Sequence, residues 1–223
     1  MKLLIAGAGG HGRVVADTAL ATRAYSSLAF LDDRASTSVT MEGWPIVGSL
    51  DGLEGFNSDF HAFVAGVGNA ALRIDLLRRA RTAGFRCASI VHPTAAVSKH
   101  CSIGDGTVVI AGACINVGAR IGEACIINTG ATVDHDCLVA EGVHICPGAH
   151  LAGNVEIGPR AWFGIGAVAR QGVRIGANAV IGAGSVVIRD VPDNVTVAGN
   201  PARELEQQEG SRGAAQGSRE ANS

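Results

Sequence analysis

Ile115–Val139 reads INVGARIGEACIINTGATVDHDCLV, and its spacing decides the fold of the C-terminal half. Ile115, Ile121, Ile127, Val133 and Val139 recur at every sixth position. The series runs without a gap from Val91 to Val187, each place held by an aliphatic or aromatic residue and once by an alanine. Four residues after each comes a smaller one, as in Ala119, Cys125, Ala131 and Cys137. A period of six suits neither a 3.6-residue helix nor an alternating strand. A fixed short period is the signature of a β-solenoid. Three hexads close one coil, so the segment predicts a little under six coils, a prism about 27 Å tall at the spacing of paired strands.

The composition fits such a coil. Hydrophobic residues make up 47% of the 223-residue chain but aromatics only 4%, which suits a narrow core of small aliphatics. Gly104, Gly122, Gly158, Gly176 and Gly182 fall at fixed places in the hexads and are expected to serve turns with φ > 0. A net charge of −2 with no basic block excludes a nucleic-acid footprint. No apolar run approaches the ~18 residues of a membrane span, so no membrane insertion is expected. The opening MKLLIAGAGGHGRV reads as a buried strand and turn rather than a signal peptide. Among the six cysteines no C-x-x-C occurs, and no two lie one coil apart where a disulfide could close. Reduced thiols fit a cytoplasmic location.

Residues 1–90 follow another pattern. An apolar run at Leu3–Ala6 ends at Gly7, and a helical spacing follows through Val14, Val15, Thr18, Ala19 and Leu20. Strands are expected at Leu28–Leu31, Ala62–Val67 and Arg86–Val91. Before the last comes a helix with Leu72, Leu76, Leu77 and Ala80 inward and Arg73, Arg78, Arg79 and Arg81 outward. Alternating strands and helices predict a small α/β, Rossmann-like domain. The solenoid then occupies 91–205. The polar tail over 206–223 is expected to be disordered.

Two sets of residues carry chemistry. Gly7-Ala8-Gly9-Gly10-His11-Gly12 matches G-x-G-x-x-G between a strand and a helix, with Asp32 and Asp33 about twenty residues on. Gly9, Gly10 and Gly12 let backbone N–H groups approach a diphosphate at a helix N-terminus. Asp32 or Asp33 then accepts hydrogen bonds from ribose or base, and Gly68-Asn69 ends a second strand on the same side. NAD is the usual ligand of this fingerprint, but a solenoid supplies no hydride-transfer domain. A nucleotide-diphosphate sugar offers the loop the same diphosphate. In the solenoid, His135 and Asp136 stand at outward corner positions where coil packing requires neither. A neutral imidazole oriented by a carboxylate is a general base. A solvated polar corner is the plain alternative. His135, His144 and His150 fall on different faces of one coil, so no metal site is expected within one chain.

The hexads of the form I-G-x-x-A-x, the closing Val197–Arg203, the N-terminal GAGGHG with Phe30-Leu31-Asp32-Asp33, and Ile127–Cys137 together resemble one group of left-handed β-helix acyltransferases. These are the sialic acid O-acetyltransferases and the bacillosamine or perosamine N-acetyltransferases, and the similarity covers about residues 1–205. The resemblance implies a homotrimer with active sites between subunits, acetyl-CoA as co-substrate lying along the solenoid, and a nucleotide-diphosphate amino sugar held by the N-terminal domain. No permanently bound cofactor is implied. By position, His135 is the base and Asp136 its partner, where members often carry glutamate. Asn128 and His144 match residues near the acetyl group. Gly153 and Ile165 match the coenzyme A site, as does Ala183, where some members carry glycine. His11, Asp32, Asp33 and Asn69 match sugar-nucleotide contacts. The activity so implied is N-acetylation of a nucleotide-activated 4-amino-4,6-dideoxy sugar for glycan synthesis. O-acetylation of sialic acid is the alternative, and a non-catalytic scaffold or a metal-dependent hydratase are readings of other classes.

Overall fold

The computed structural model describes residues 1–33 and 42–205; the tail expected to be disordered lies outside the described residues. The N-terminal part contains β1 (Lys2–Ala6), α1 (Gly10–Ala21), β2 (Ser27–Leu31), β3 (Ile46–Gly48), β4 (Ala62–Ala65), α2 (Ala70–Thr82) and β5 (Arg86–Cys87). The strands form one parallel sheet in the order β3-β2-β1-β4-β5. β1 lies at its centre, and Leu3, Leu4 and Ile5 are fully buried. A strand covered on both faces reads as a continuous apolar run, which is why the opening of the chain lacks alternation. Val15, Ala16 and Ala19 of α1 pack on one face, and Leu76 and Ala80 of α2 on the other. The strand order reverses at β1, so the loops after β1 and β4 leave the sheet side by side, the usual position of a ligand crevice.

Two expectations need correction here. Leu72 was expected inward and Arg73 outward; Leu72 is 38% exposed and Arg73 is fully buried. Helical spacing puts 73 on the same stripe as 76, 77 and 80, and the buried guanidinium is satisfied by backbone carbonyls. The single strand expected over Arg86–Val91 is two: β5 pairs with β4, whereas Ile90–Val91 pairs with Val108–Val109 and is the first rung of the solenoid.

The rest is a left-handed parallel β-helix with three faces. The first face runs from Ile90–Val91 through Ile126–Ile127, His144–Ile145 and Trp162–Phe163 to Thr196–Ala198, which the antiparallel Arg203–Glu204 closes. The second runs from Ala96–Val97 to Val186–Val187 and the third from Ser102–Ile103 to Arg174–Ile175. Register is eighteen residues along the hexads, as in Thr132↔His150 and Ile127↔Ile145, and shortens in the last coil, where Val180 pairs with Thr196. The sixth-position series forms the buried axis, with Phe163 as its one aromatic.

The glycines of the hexads divide into two kinds. Positive φ belongs to the fourth hexad position, as at Gly118 (φ +75°) and Asp136 (φ +58°). The second-position glycines named above do not adopt it. A Cβ at Gly104 would lie 2.6 Å from the carbonyl carbon of Gly122, so close approach of successive coils, and not φ, excludes side chains there.

The N-terminal domain sits on the first face and on the corner between the third and first faces. Ile74 and Leu77 of α2 pack on Ala124 at that corner. Burying each is worth about 1.5–3 kcal/mol.

Candidate active site

His135 and Asp136 project from the corner between the second and third faces. Asp134 Oδ1 accepts the His135 backbone N–H at 2.8 Å and the Asn116 amide at 2.8 Å, which ties the corner to the coil below. Asp136 adopts the left-handed conformation, which aspartate tolerates better than most residues. Its Oδ2 lies 2.9 Å from His135 Nδ1. Aspartate, though shorter than glutamate, therefore reaches the imidazole. Neutral His135 facing an ionised carboxylate carries its proton on Nδ1 and presents the Nε2 lone pair. The hydrogen bond to Asp136 raises the His135 pKa above its ordinary value, and the negative charges of Asp134 and Asp136 add to this. The Asn116 bond first, and then the His135 N–H, lower the pKa of Asp134.

Two glycines one coil away seat this pair. A Cβ at Gly153 would collide with the His135 ring, and one at Gly118 with the Asp136 carboxylate. The imidazole thus lies over Gly153 with Nε2 and Cε1 nearest to it, half exposed, and not inside the coil.

A second constellation lies where the N-terminal domain meets the first face. His144 is 7% exposed, and Trp162 stands edge-on to it at 4.3 Å. The Thr129 N–H donates to Asn128 Oδ1 at 2.8 Å, which turns the Asn128 amide nitrogen toward His144 Nε2 at 3.0 Å. A donor facing Nε2 leaves the ring proton on Nδ1. Nδ1 is buried and, among the described residues, has no hydrogen-bond partner. The same holds for His11 Nε2, from a ring 6.2 Å away in the first turn of α1. Burial, with the charge of Arg73, pushes the His11 pKa down to about 4. Burial, then His11 and Arg73, push that of His144 down to about 3. Both rings are neutral near pH 7. A buried donor left unpaired costs about 1–3 kcal/mol, so such an atom points to a ligand group.

The glycine loop is close-packed. A Cβ at Gly12 would collide with the Gly7 carbonyl, so Gly12 lets α1 lie against β1; nothing crowds Gly10. Gly9 is the N-cap of α1. Asp32 Oδ2 accepts the Ala8 N–H at 2.7 Å and braces the loop, while Asp33 Oδ1 accepts the Leu50 N–H at 2.8 Å. Asn69 caps α2 by accepting the Leu72 N–H at 3.0 Å, and the Gly68 carbonyl accepts from Arg73 at 2.8 Å. Asn69 and the two aspartates therefore each have one side-chain oxygen engaged by the domain itself.

One chain does not bring all these residues together. Asn128, Ile165 and Ala183 share the corner between the first and second faces, with Ile165 60% exposed. Gly153 lies instead beneath His135 at another corner. A groove of about 710 Å³ on the third face, lined by Arg120, Leu138 and Glu156, contains neither group. Among the described residues no cluster of three or more His, Cys, Asp or Glu could hold a metal, and no helix is long and apolar enough to cross a membrane.

Residues 2–80 match the PglD N-terminal domain, and 154–189 match the bacterial transferase hexapeptide repeats. The fold superposes on the acetyltransferase domain of PglB from Neisseria gonorrhoeae, solved with acetyl coenzyme A, with a TM-score of 0.88. Sequence identity is 43%, over 92% of this chain and 98% of that one. The chain belongs to this family of β-helix acetyltransferases. Another member, PerB from Caulobacter crescentus, solved with CoA and GDP-perosamine, shares 38% identity over 92% of this chain and 97% of its own, with a TM-score of 0.84. The curated relatives are matched over a short stretch: the chain spans about a quarter of their length, as with the galactoside O-acetyltransferase of Lactococcus lactis, 53% identical over 47 residues, 23% of that protein.

Four positions of this family member were not singled out from the sequence. Asn116 and Gly118 lie one coil before Asp134 and Asp136, and Trp162 one coil after His144, so the period that reveals the fold also finds them. Arg73 was visible in the helical spacing but was assigned to solvent because it is charged.

Proposed function

We propose that the protein is an acetyl-CoA-dependent N-acetyltransferase acting on the amino group of a nucleotide-activated 4-amino-4,6-dideoxy sugar. The observation that carries this reading is the His135–Asp136 pair, seated on Gly153 and Gly118, with Nδ1 engaged by Asp136 and the ring half exposed. His135 Nε2 takes a proton from the sugar amine as its nitrogen attacks the thioester carbonyl. A C–N bond forms, the C–S bond breaks, and the thiolate of coenzyme A leaves. The His144 Nδ1–H, fixed by Asn128 and neutral, is suited to receive the oxyanion. Two substrates held in line need no acyl-enzyme intermediate. His135 stands at the corner between the second and third faces, whereas Asn128 and His144 stand at the corner between the first and second faces and on the first face itself. The reading therefore takes them from neighbouring copies in a homotrimer, with acetyl-CoA between the corner of Gly153 and that of Ile165 and Ala183. The nucleotide is assigned to the crevice between the loops after β1 and β4. Gly9, Gly10, His11, Gly12, Asp32, Asp33, Gly68 and Asn69 are its proposed contacts. The bound GDP-perosamine of the PerB structure supports this substrate class.

A thiol-release assay with acetyl-CoA and a panel of UDP-, GDP- and dTDP-4-amino-4,6-dideoxyhexoses tests the proposal. Turnover with at least one amino sugar and none with its 4-hydroxy counterpart is expected. Release with free sialic acid alone would replace N- by O-acetylation.

A further inference from the structure

Arg73 is the largest fully buried side chain, and neither composition nor the glycine fingerprint explains it. Its guanidinium spans two structural units. On the solenoid side Nε donates to the Ala124 carbonyl at 2.7 Å and Nη2 to the Gly142 carbonyl at 2.7 Å, the same corner position in two successive coils. On the other side Nη1 donates to the carbonyls of Val67 and Gly68, at 2.9 and 2.8 Å, in the loop after β4. No carboxylate is among these partners. Burial holds the guanidinium pKa at about 10, so the group remains charged at any physiological pH.

Every acceptor is a backbone carbonyl, so the charge has a geometric task. Ala124 (φ +53°) and Gly142 (φ +70°) are left-handed corner residues. Their carbonyls face one planar fork, which lysine cannot reproduce. The loop on the far side opens into the nucleotide crevice and contains no regular structure of its own before Asn69 caps α2. Ile74 lies next along the helix, and a Cβ at Gly142 would come within 2.6 Å of its Cδ1. Packing therefore docks the helix on the corner, and the fork sets the height of the loop.

We propose that Arg73 is a positioning residue for the sugar nucleotide: it fixes the Val67–Gly68 loop against the β-helix and so sets the nucleotide crevice in register with the acetyl-transfer groups. This rests on the reading of the site as a sugar-nucleotide acetyltransferase. The test compares Arg73→Lys, which keeps the charge and loses the fork, with Ile74→Ala, which loosens the docking and keeps the fork. Both are assayed with acetyl-CoA and whichever amino sugar nucleotide of the panel the parent acetylates. Loss of one charge-assisted bond to the loop is expected to raise the sugar-nucleotide KM about tenfold or more in Arg73→Lys. The acetyl-CoA KM stays within about twofold, and Ile74→Ala moves the sugar-nucleotide KM far less. Equal shifts of both KM values in Arg73→Lys, or an equal sugar-nucleotide shift in the two variants, would overturn the proposal. Should the parent acetylate nothing in the panel, the functional reading has failed and backbone order parameters from NMR relaxation decide Arg73 alone. The same measurement decides if Arg73→Lys does not fold. In the intact parent, the backbone of 67–69 should be as rigid as the corner at 124 and 142, with order parameters of about 0.85. Order parameters below about 0.6, those of a free loop, would overturn the clamp.

Discussion

Two histidine sites in this molecule differ in nearly every physical respect. His135 is half exposed, stands at a prism corner and is held by a carboxylate that raises its pKa. His144 and His11 are shielded between the domains, have no carboxylate at the ring among the described residues, and are pushed down to about 3 and about 4. The same side chain is thus prepared for proton uptake in one place and for staying neutral in the other. Exposure and the sign of the neighbouring charge, not residue type, assign the roles.

The largest way to break this contrast is His135→Ala. Turnover at saturating acetyl-CoA should fall by about 10²–10⁴, the usual contribution of a general base, in a thiol-release assay. A loss of only a few-fold would remove His135 from that role. Gly153→Ala comes next. The added methyl displaces the ring without altering any titrating group, and kcat should fall about tenfold or more while melting temperature stays near that of the parent. Asp136→Asn sharpens the contrast through pH. In the parent, activity should fall as the medium is acidified through the raised His135 pKa. Removing the bond that raises it should move that acid limb to lower pH, as read from kcat against pH. A limb that does not move would show that Asp136 does not set the base.

The smallest effect concerns stability. His11 and His144 have folded-state pKa values below the unfolded value of about 6.5. Between that value and about 4 and 3 the unfolded chain binds more protons, so stability present at neutral pH is lost as pH falls through this window. The melting temperature should drop by several degrees from pH 7 to pH 5. That drop should shrink in His144→Phe, measured by calorimetry at both values.

The repeat was legible because a solenoid writes its period directly into the chain: Val133, Val139 and Ile145 mark three faces in turn. The dyad could be placed for the same reason, since outward corners have no packing need for His-Asp. What could not be read was whatever depends on contact between remote segments. Arg73 looked like one of four solvent-facing arginines because a helix of this length gives no sign that backbone carbonyls lie above it. Gly153 was matched to coenzyme A, and only its Cβ direction reveals the imidazole above it. The short strand Ile46–Gly48 was missed because its residues alternate in burial over too few positions to form a pattern.

The one-coil register imposes a rule on how this gene can change length. Gly153 lies under His135 only because eighteen residues separate them, as they separate Thr132 from His150. A single inserted or deleted codon between the two would rotate the seat to another face and silence the enzyme, even where the coil itself heals. Loss or gain of a full turn farther toward the C-terminus leaves that pair untouched. Within the eighteen-residue coils, length variation among surviving descendants should therefore come in whole turns, or as excursions looped out at corners, with the stretch from 135 to 153 kept at constant length.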